Sequence, residues 1–401
     1  MATLQTHLDP YRDEMTRELT DRLLPFWLTN VLDFGSGGFN GSISGRDIVD
    51  PKADKGVILA TRILWTFSRA YRQAGREEYR RAADLMVRYL RDHFMDRDHG
   101  GVFWQLEHSG KPRDTTKRFY AQAFAIYALS EYARATGEPK ALAEASALFT
   151  LMEKHGRDPV EGGYLDALGR DWKPIADTRL SEVDLNTPKS MNTNLHVLEA
   201  YSDIALHEPA GPVVESLEIL LEVFLQKIIL PNRHFGLYFE MDWTEVLGNI
   251  SYGHDIEGSW LMTEAAERTG NGKLVARVQS TALGMAQAVL DQGVDAQGGV
   301  LNEREADGKL KAGKEWWMQA EAMVGFYNAY QLTGQDHYLK ASLAAWDYSK
   351  KWFLRPDGEW YSGINDAGVP DLNRPVSGIW KCPYHTARAY MEIMERIDGM
   401  A

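Results

Sequence analysis

The chain has 401 residues, 44% of them hydrophobic and 25% charged, and a net charge of −13 at pH 7. Those proportions suit a soluble globule, and the acidity argues against nucleic acid or an anionic membrane as partner, since both want basic patches. One cysteine, Cys382, excludes an internal disulfide and fits a reducing compartment.

The opening segment, MATLQTHLDPYRDEM, lacks the apolar stretch of a signal peptide. No apolar run approaches the ~18 residues of a membrane span, so a cytoplasmic location is expected. The helical period then recurs along the chain, near 8–32, 56–74, 76–95, 118–136, 139–155, 190–207, 212–229, 254–269, 272–291, 315–333, 336–353 and 383–397. Segments such as ILATRILWTFSRAY and AQAFAIYALSEYARA carry broad apolar faces, as helices buried on much of their surface do. No convincing run of strand alternation appears.

The punctuation repeats as well. Gly75, Gly137, Gly270 and Gly334 each end a helix at a short turn, where glycine takes the left-handed conformation cheaply. Gly75 and Gly137 stand 62 residues apart and Gly270 and Gly334 64, with a turn near Gly211 filling the interval between. Longer loops at Asp33, Asp98, Asp158, Asn232, Asp295 and Asp357 keep the same beat, each with a polar residue, glycine and an aromatic or apolar residue. This rhythm predicts six helical hairpins, and hairpins that cannot bury their own apolar faces must stack. The expected fold is all-α, a single (α/α)6-barrel domain over 1–401 with six inner and six outer helices. The alternative is an open α-solenoid that binds protein.

In a closed ring every second helix lines the centre. The helices that follow the long loops carry, in or near their first turns, Arg62, Tyr120, Asn192 with His196, His254 with Glu257, Trp316 with Trp317, and His385. The intervening helices open with ordinary solvated charges, so the chemically capable side chains gather at one end of one class of helix. In SYGHDIEGSW, His254 and Glu257 are three residues apart and share a helix face. They can meet, the carboxylate then fixing the imidazole tautomer and holding its pKa near or above neutrality. The plainer reading is a helix-start histidine with an incidental acid on its face.

Each residue also has a plainer explanation: a structural ion pair for Arg62, a satisfied core histidine for His196, and capping after Pro383 for His385. Adjacent residues do not share a face, so one of Trp316 and Trp317 is expected to be packing. A nucleophilic pair of Cys382 with His385 is the weaker reading. The other histidines, His207 and His234 among them, fall in surface-like or loop contexts. There is no HExxH, CxxC, GxGxxG or Walker A motif, so neither a metal nor a nucleotide cofactor is expected. Histidines, an arginine, a carboxylate and tryptophans together suit proton abstraction next to a carbonyl of a polyhydroxylated ligand. Two bases on opposite faces of one carbon allow the proton to leave one side and return on the other. The developing enediolate needs positive charge or donors, a role for Arg62 or a protonated histidine.

The segments KGVILATRILWTFSRAYRQAG, RFYAQAFAIYALSEYARATG, KSMNTNLHVLEAY, GHDIEGSW, EWWMQAEAMVGFYNAYQ and WKCPYHTAR resemble the N-acylglucosamine 2-epimerase superfamily, most closely its cellobiose 2-epimerases. The resemblance implies an (α/α)6 barrel and a cofactor-independent isomerase. It implies interconversion of glucose and mannose configurations at the reducing end of β-1,4-linked disaccharides such as cellobiose and lactose, through a cis-enediolate. By matching motif, His254 and His385 look like the acid/base pair, His196 like the third essential histidine, Arg62 like the enediolate stabiliser and Glu257 like the partner of His254. Tyr120, Asn192, Trp316 or Trp317, and Trp380 look like sugar contacts, Trp380 being the platform for a second ring, with Trp360 and Tyr361 as further aromatics near the mouth. Asn194, Met318 and Cys382 depart from residues common in cellobiose epimerases. A mannose 2-epimerase or an aldose–ketose isomerase is the alternative; an inverting glycoside hydrolase, which needs two carboxylates, fits less well. The expected partner is a small sugar, with the protein a monomer or homodimer.

Overall fold

The computed structural model describes residues 2–311, 313–365 and 367–399. Met1, Met400 and Ala401, at the ends of the expected domain, lie outside the described residues, as do Ala312 and Asp366. Among the described residues, twelve long helices alternate between two layers. The outer ones are α1 (Ala2–Arg17, prolonged by π-type turns over Glu18–Leu23 and Trp27–Val31), α3 (Glu77–Tyr89), α5 (Pro139–His155), α7 (Pro212–Val223), α9 (Gly272–Gln292) and α11 (Asp336–Trp352). The inner ones are α2 (Val57–Ala74), α4 (Phe119–Thr136), α6 (Met191–Ile204), α8 (Tyr252–Thr269), α10 (Trp316–Thr333) and α12 (Tyr384–Asp398).

Each inner helix packs on the next, and α12 packs back on α2, so the ring is closed. Closure explains the apolar breadth of the inner helices: α4 is buried from Phe119 through Ala133, and α10 buries all but one residue from Trp316 through Tyr330. An open solenoid would leave one such face wet. Short turns join five hairpins covalently. The sixth is made through space, α12 packing against α1.

Gly75, Gly137, Gly270 and Gly334 end α2, α4, α8 and α10 with φ between 64° and 73°, the left-handed cap expected of them. The turn at Gly211 differs. There α6 ends earlier with a right-handed residue, and Gly211, at φ 104°, instead precedes Pro212 at the start of α7.

Strands do occur, but among the described residues only as fragments of two or three residues in the long loops. Five of the eight pairs follow a rule: the residues just before an inner helix pair antiparallel with the next repeat's loop. Thus Lys55–Gly56 pairs with Gln105–Leu106, Lys117–Arg118 with Ala167–Leu168, and Lys189–Ser190 with Tyr238–Phe239. Ile250–Ser251 pairs likewise with Glu303–Arg304, and Lys314–Glu315 with Gly363–Ile364. An Ile43–Ser377 bridge closes the circle. Pairs this short carry no readable alternation, which is why the sequence shows none.

The loop acids have a double use. One oxygen of Asp96, Asp158 and Asp295 accepts backbone N–H groups of its own turn. The other pairs with a lysine just before the inner helix: Lys117 (2.8 Å), Lys189 (2.6 Å) and Lys314 (2.8 Å) respectively. Lys381 and Glu359 repeat the pair at 2.6 Å. These ties fix the loop end of the barrel, where the inner helices begin.

Candidate active site

A cavity of about 340 Å³ opens at that end. Arg62, Tyr120, Asn192, His196, His254, Glu257, Trp316, Trp317, Trp380 and His385 all line it. Leu180, Ser181, Val183 and Asp184, from the loop before α6, and the Glu315–Arg374 ion pair complete the wall. That loop carries no helical or strand period, so nothing in its residues announces the contribution.

The two histidines at the centre are held differently. His254 Nδ1 lies 2.7 Å from Ser251 Oγ, the residue just before α8. His385 Nδ1 lies 2.6 Å from Glu321 on α10. The Trp317 ring sits beside both, with centroids 4.7 Å from His254 and 5.7 Å from His385. Trp316 is buried at 4% exposure, meets His385 edge-on at 6.2 Å, and takes the Lys381 ammonium over its face at 4.9 Å. Both tryptophans reach the cavity, and Trp317 is the one beside both imidazoles.

The expected meeting of His254 with Glu257 does not occur. Glu257 instead receives Arg388 Nη2 at 2.7 Å and lies 3.9 Å from His385 Nδ1. Sharing a face was correct, but a buried guanidinium competes better for the carboxylate than a neutral imidazole does. The pKa expectation fails with it. Burial and the nearby His196 push His254 down to about 3. Burial, Arg62 and Arg388 hold His385 well below its ordinary value. Both imidazoles are therefore neutral bases at pH 7.

Behind them lies a charge network around Arg388, which is 1% exposed. Arg388 donates to Glu199 and to Glu257 and Glu321, the last two at 2.7 Å each, while Tyr384 also donates to Glu199. Glu199 reaches His196 Nδ1 at 2.8 Å. His196 and His385 thus connect through two carboxylates that share one guanidinium. Burial would raise Glu199, but Arg388 and His196 overcome it and hold its pKa at about 2. Burial and the neighbouring Glu321 push Glu257 up to about 7, and burial raises Glu321 too. A proton is therefore stored beside His385 near neutral pH. Glu199, Glu321 and Arg388 escaped the sequence reading because they sit one to two turns deeper than the first-turn residues. Their spacing within the inner helices was the available signal.

Arg62 is the opposite case. It is buried, donates to Tyr120 Oη at 2.8 Å, and lies over the rings of Phe124 (4.3 Å) and Tyr384 (4.7 Å). Among the described residues no carboxylate lies within ion-pair distance of it. Its remaining neighbour is Cys382 Sγ at 3.7 Å, so the thiol packs on the arginine.

Three other residues sit differently from the sequence expectation. Trp360 is fully buried, donating to Tyr390 Oη at 3.0 Å, and neither it nor Tyr361 lines the cavity. His234, expected in a surface-like loop, is 1% exposed and paired with Asp255 at 2.7 Å. Of the residues that depart from the cellobiose-epimerase pattern, Asn194 ties down Tyr164 of the preceding loop and Met318 is buried against the Gly253 backbone; neither reaches the cavity.

Glu257, Glu321 and His385 bring three metal-ligand atoms within 4.8 Å of one another. Arg388 already donates to both carboxylates, and a divalent cation would have to displace it. The donor set fits a guanidinium better than a metal.

The closed (α/α)6 barrel thus holds a cup lined by three histidines, Arg62 and aromatic rings. The chain belongs to the N-acylglucosamine 2-epimerase (GlcNAc 2-epimerase) family, whose model matches residues 37–389, and it is a sugar 2-epimerase. It is 42% identical to the cellobiose 2-epimerase of Bacteroides fragilis over 96% of this chain and 98% of that one. It is 37% identical to that of Ruminococcus albus, again over 96% and 98%. The solved cellobiose 2-epimerase of Bacillus thermoamylovorans B4167 superposes with a TM-score of 0.93 at 36% identity, covering 97% of this chain and 100% of that one. Among the described residues, no helix is long and apolar enough to cross a membrane.

Proposed function

We propose that the protein epimerises C2 at the reducing end of a β-1,4-linked disaccharide such as cellobiose, using His254 and His385 as the two proton-transfer groups. The observation that carries this is Arg62: a buried cation with no carboxylate partner among the described residues, lining the same cavity as two neutral imidazoles. Burying a charge unpaired is costly. The cost is offset when an anion forms beside it, and an enediolate is such an anion.

His196 assists ring opening, its Nδ1–H held by ionised Glu199 so that Nε2 is free to exchange a proton. One imidazole then takes the proton from C2 of the open-chain aldose, and the electron pair delocalises onto O1 as the cis-enediolate. The other imidazole gives its own N–H proton to the opposite face of C2. The carboxylic acid shared by Glu257 and Glu321 supplies that proton on the His385 side. Reprotonation at C1 of the same enediolate would give the ketose, so the balance between epimer and ketose depends on which carbon the acid faces.

Trp380 supports the disaccharide. It is partly exposed at the mouth, 5.7 Å from Trp104 and 5.8 Å from Tyr120, and offers a flat apolar surface beyond the reacting ring. The similarity to cellobiose 2-epimerases points the same way. Hydrolysis is disfavoured because the lining carboxylates are engaged: Glu257 with Arg388, Glu315 with Arg374, and Asp184 with Tyr238 and Ser181. The test is turnover of cellobiose, lactose, glucose and mannose in D₂O, in wild type and Trp380→Ala. The expected product is the disaccharide epimer with deuterium at C2. A kcat/KM tenfold higher for mannose, about 1.4 kcal/mol of transition-state preference, would overturn the disaccharide assignment.

A further inference from the structure

Four inner helices are pinned to their glycine loops through their fourth residue. In three the pin is an amide that both accepts from and donates to one loop residue. Gln122 holds Val102 (2.7 and 3.0 Å), Asn194 holds Tyr164 (2.8 and 3.1 Å), and Gln319 holds Val300 (2.8 and 2.8 Å). Glycine precedes the held residue each time: Gly101, Gly163 and Gly299.

The helix that carries His254 breaks this rule. Its fourth residue is Asp255, and the loop residue before Phe235 is His234. Asp255 Oδ1 accepts the Phe235 N–H at 2.8 Å, while Oδ2 lies 2.7 Å from His234 Nδ1. A carboxylate cannot donate to a carbonyl, so the amide's second bond is replaced by one to a side chain. Both partners are essentially unexposed, and the His234 ring meets Tyr252, the first residue of α8, edge-on at 5.9 Å. The Phe235 ring fills the space over Gly258, where a Cβ would collide with it.

Asp255 and Gly258 are three apart and share one face of α8; His254 and Glu257 share the neighbouring one. The outer face is therefore gripped by a backbone N–H, an imidazole and a phenyl ring, and the rotation of the inner face follows. We infer that Asp255 and His234 are positioning residues for His254, a rotational lock on the first turn of α8. This rests on the epimerase reading for its kinetic consequence, but not for its structural one.

The test uses the full chain as wild type, Asp255→Ala, Asp255→Asn and His234→Ala, with amide hydrogen exchange and steady-state kinetics measured on each. In Asp255→Ala, exchange across 252–260 should rise and kcat fall, each by about tenfold or more, with KM within about twofold, since misplacing a reacting group costs rate more than affinity. Asp255→Asn keeps an acceptor for Phe235 N–H and should recover kcat to within about threefold. His234→Ala should move both readouts the same way by a smaller factor, and it carries the test if Asp255→Ala does not fold. Unchanged exchange at 252–260 overturns the lock. Faster exchange with unchanged kcat overturns the positioning role. A wild type that turns over no sugar refutes the epimerase reading alone, and exchange still decides the lock.

Discussion

Replacing Arg388 with methionine probes the network more sharply than replacing either central histidine. The guanidinium is the shared cation for Glu199, Glu257 and Glu321. Methionine keeps most of the bulk and leaves three carboxyls packed together without it. Removing one partner of a buried ion pair costs about 3–5 kcal/mol. Unfolding entropy of about 2.1 cal/mol/K per residue, over 401 residues, turns this into a Tm loss of about 4–6 °C. The loss has a pH signature. In wild type Glu199 is held at about 2 against an ordinary 4.5, which stabilises above 4.5 and fades as pH falls towards 2. Without Arg388 all three carboxyls rise, and a raised carboxyl costs stability as pH climbs from 4.5 through its folded value. The gap between wild type and variant should therefore be wider at pH 8 than at pH 5 in scanning calorimetry. Adding Glu199→Gln to the variant should recover part of it. A gap below 1 °C, or one equal at both pH values, would refute the assignment of Arg388 as the shared counter-ion.

Other expectations follow from the same geometry. His254 sits at about 3 when folded against an ordinary 6.5, so it adds stability that is complete above 6.5 and lost as pH falls towards 3, at about 1.4 kcal/mol per pH unit. His254→Gln should flatten that acid limb of the Tm–pH curve, and an unchanged limb would show the imidazole is already charged in the fold. Arg62→Ala should lower kcat by about 10²–10³-fold with little change in KM, because its charge partner forms only in the transition state; a rise confined to KM would make it a ground-state contact. Activity should persist after dialysis against EDTA, and recovery of lost activity by one divalent ion would show that a metal displaces Arg388.

The barrel was legible because closure imposes a period on the sequence. Helices buried on two sides read as broad apolar runs, and four of the turns needed a left-handed glycine, as Gly75 and Gly334 show. The rim of the cavity was legible, since the first two turns of the inner helices present Arg62, Tyr120, His254 and His385 to it. What lay beneath was not. Glu199, Glu321 and Arg388 read as ordinary charges on helices, and only tertiary packing brings them to one point. The His254–Glu257 pairing failed for the same reason: spacing reports who shares a face, not which distant cation reaches in first. His234 looked superficial because loop residues usually are, and the swap of an amide pin for a carboxylate–imidazole pair is visible only once the four loops are superimposed.

The through-space hairpin of α12 with α1 ties closure of the barrel to assembly of the cup. His385 and Arg388 both ride on α12, so the proposed proton-transfer imidazole and the counter-ion of Glu199, Glu257 and Glu321 arrive on one element. Loosening α12 from α1 would withdraw both together and leave three buried carboxyls without their cation, a cost of several kcal/mol. The contact that shuts the ring and the contacts that arrange the cup therefore stand or fall as one.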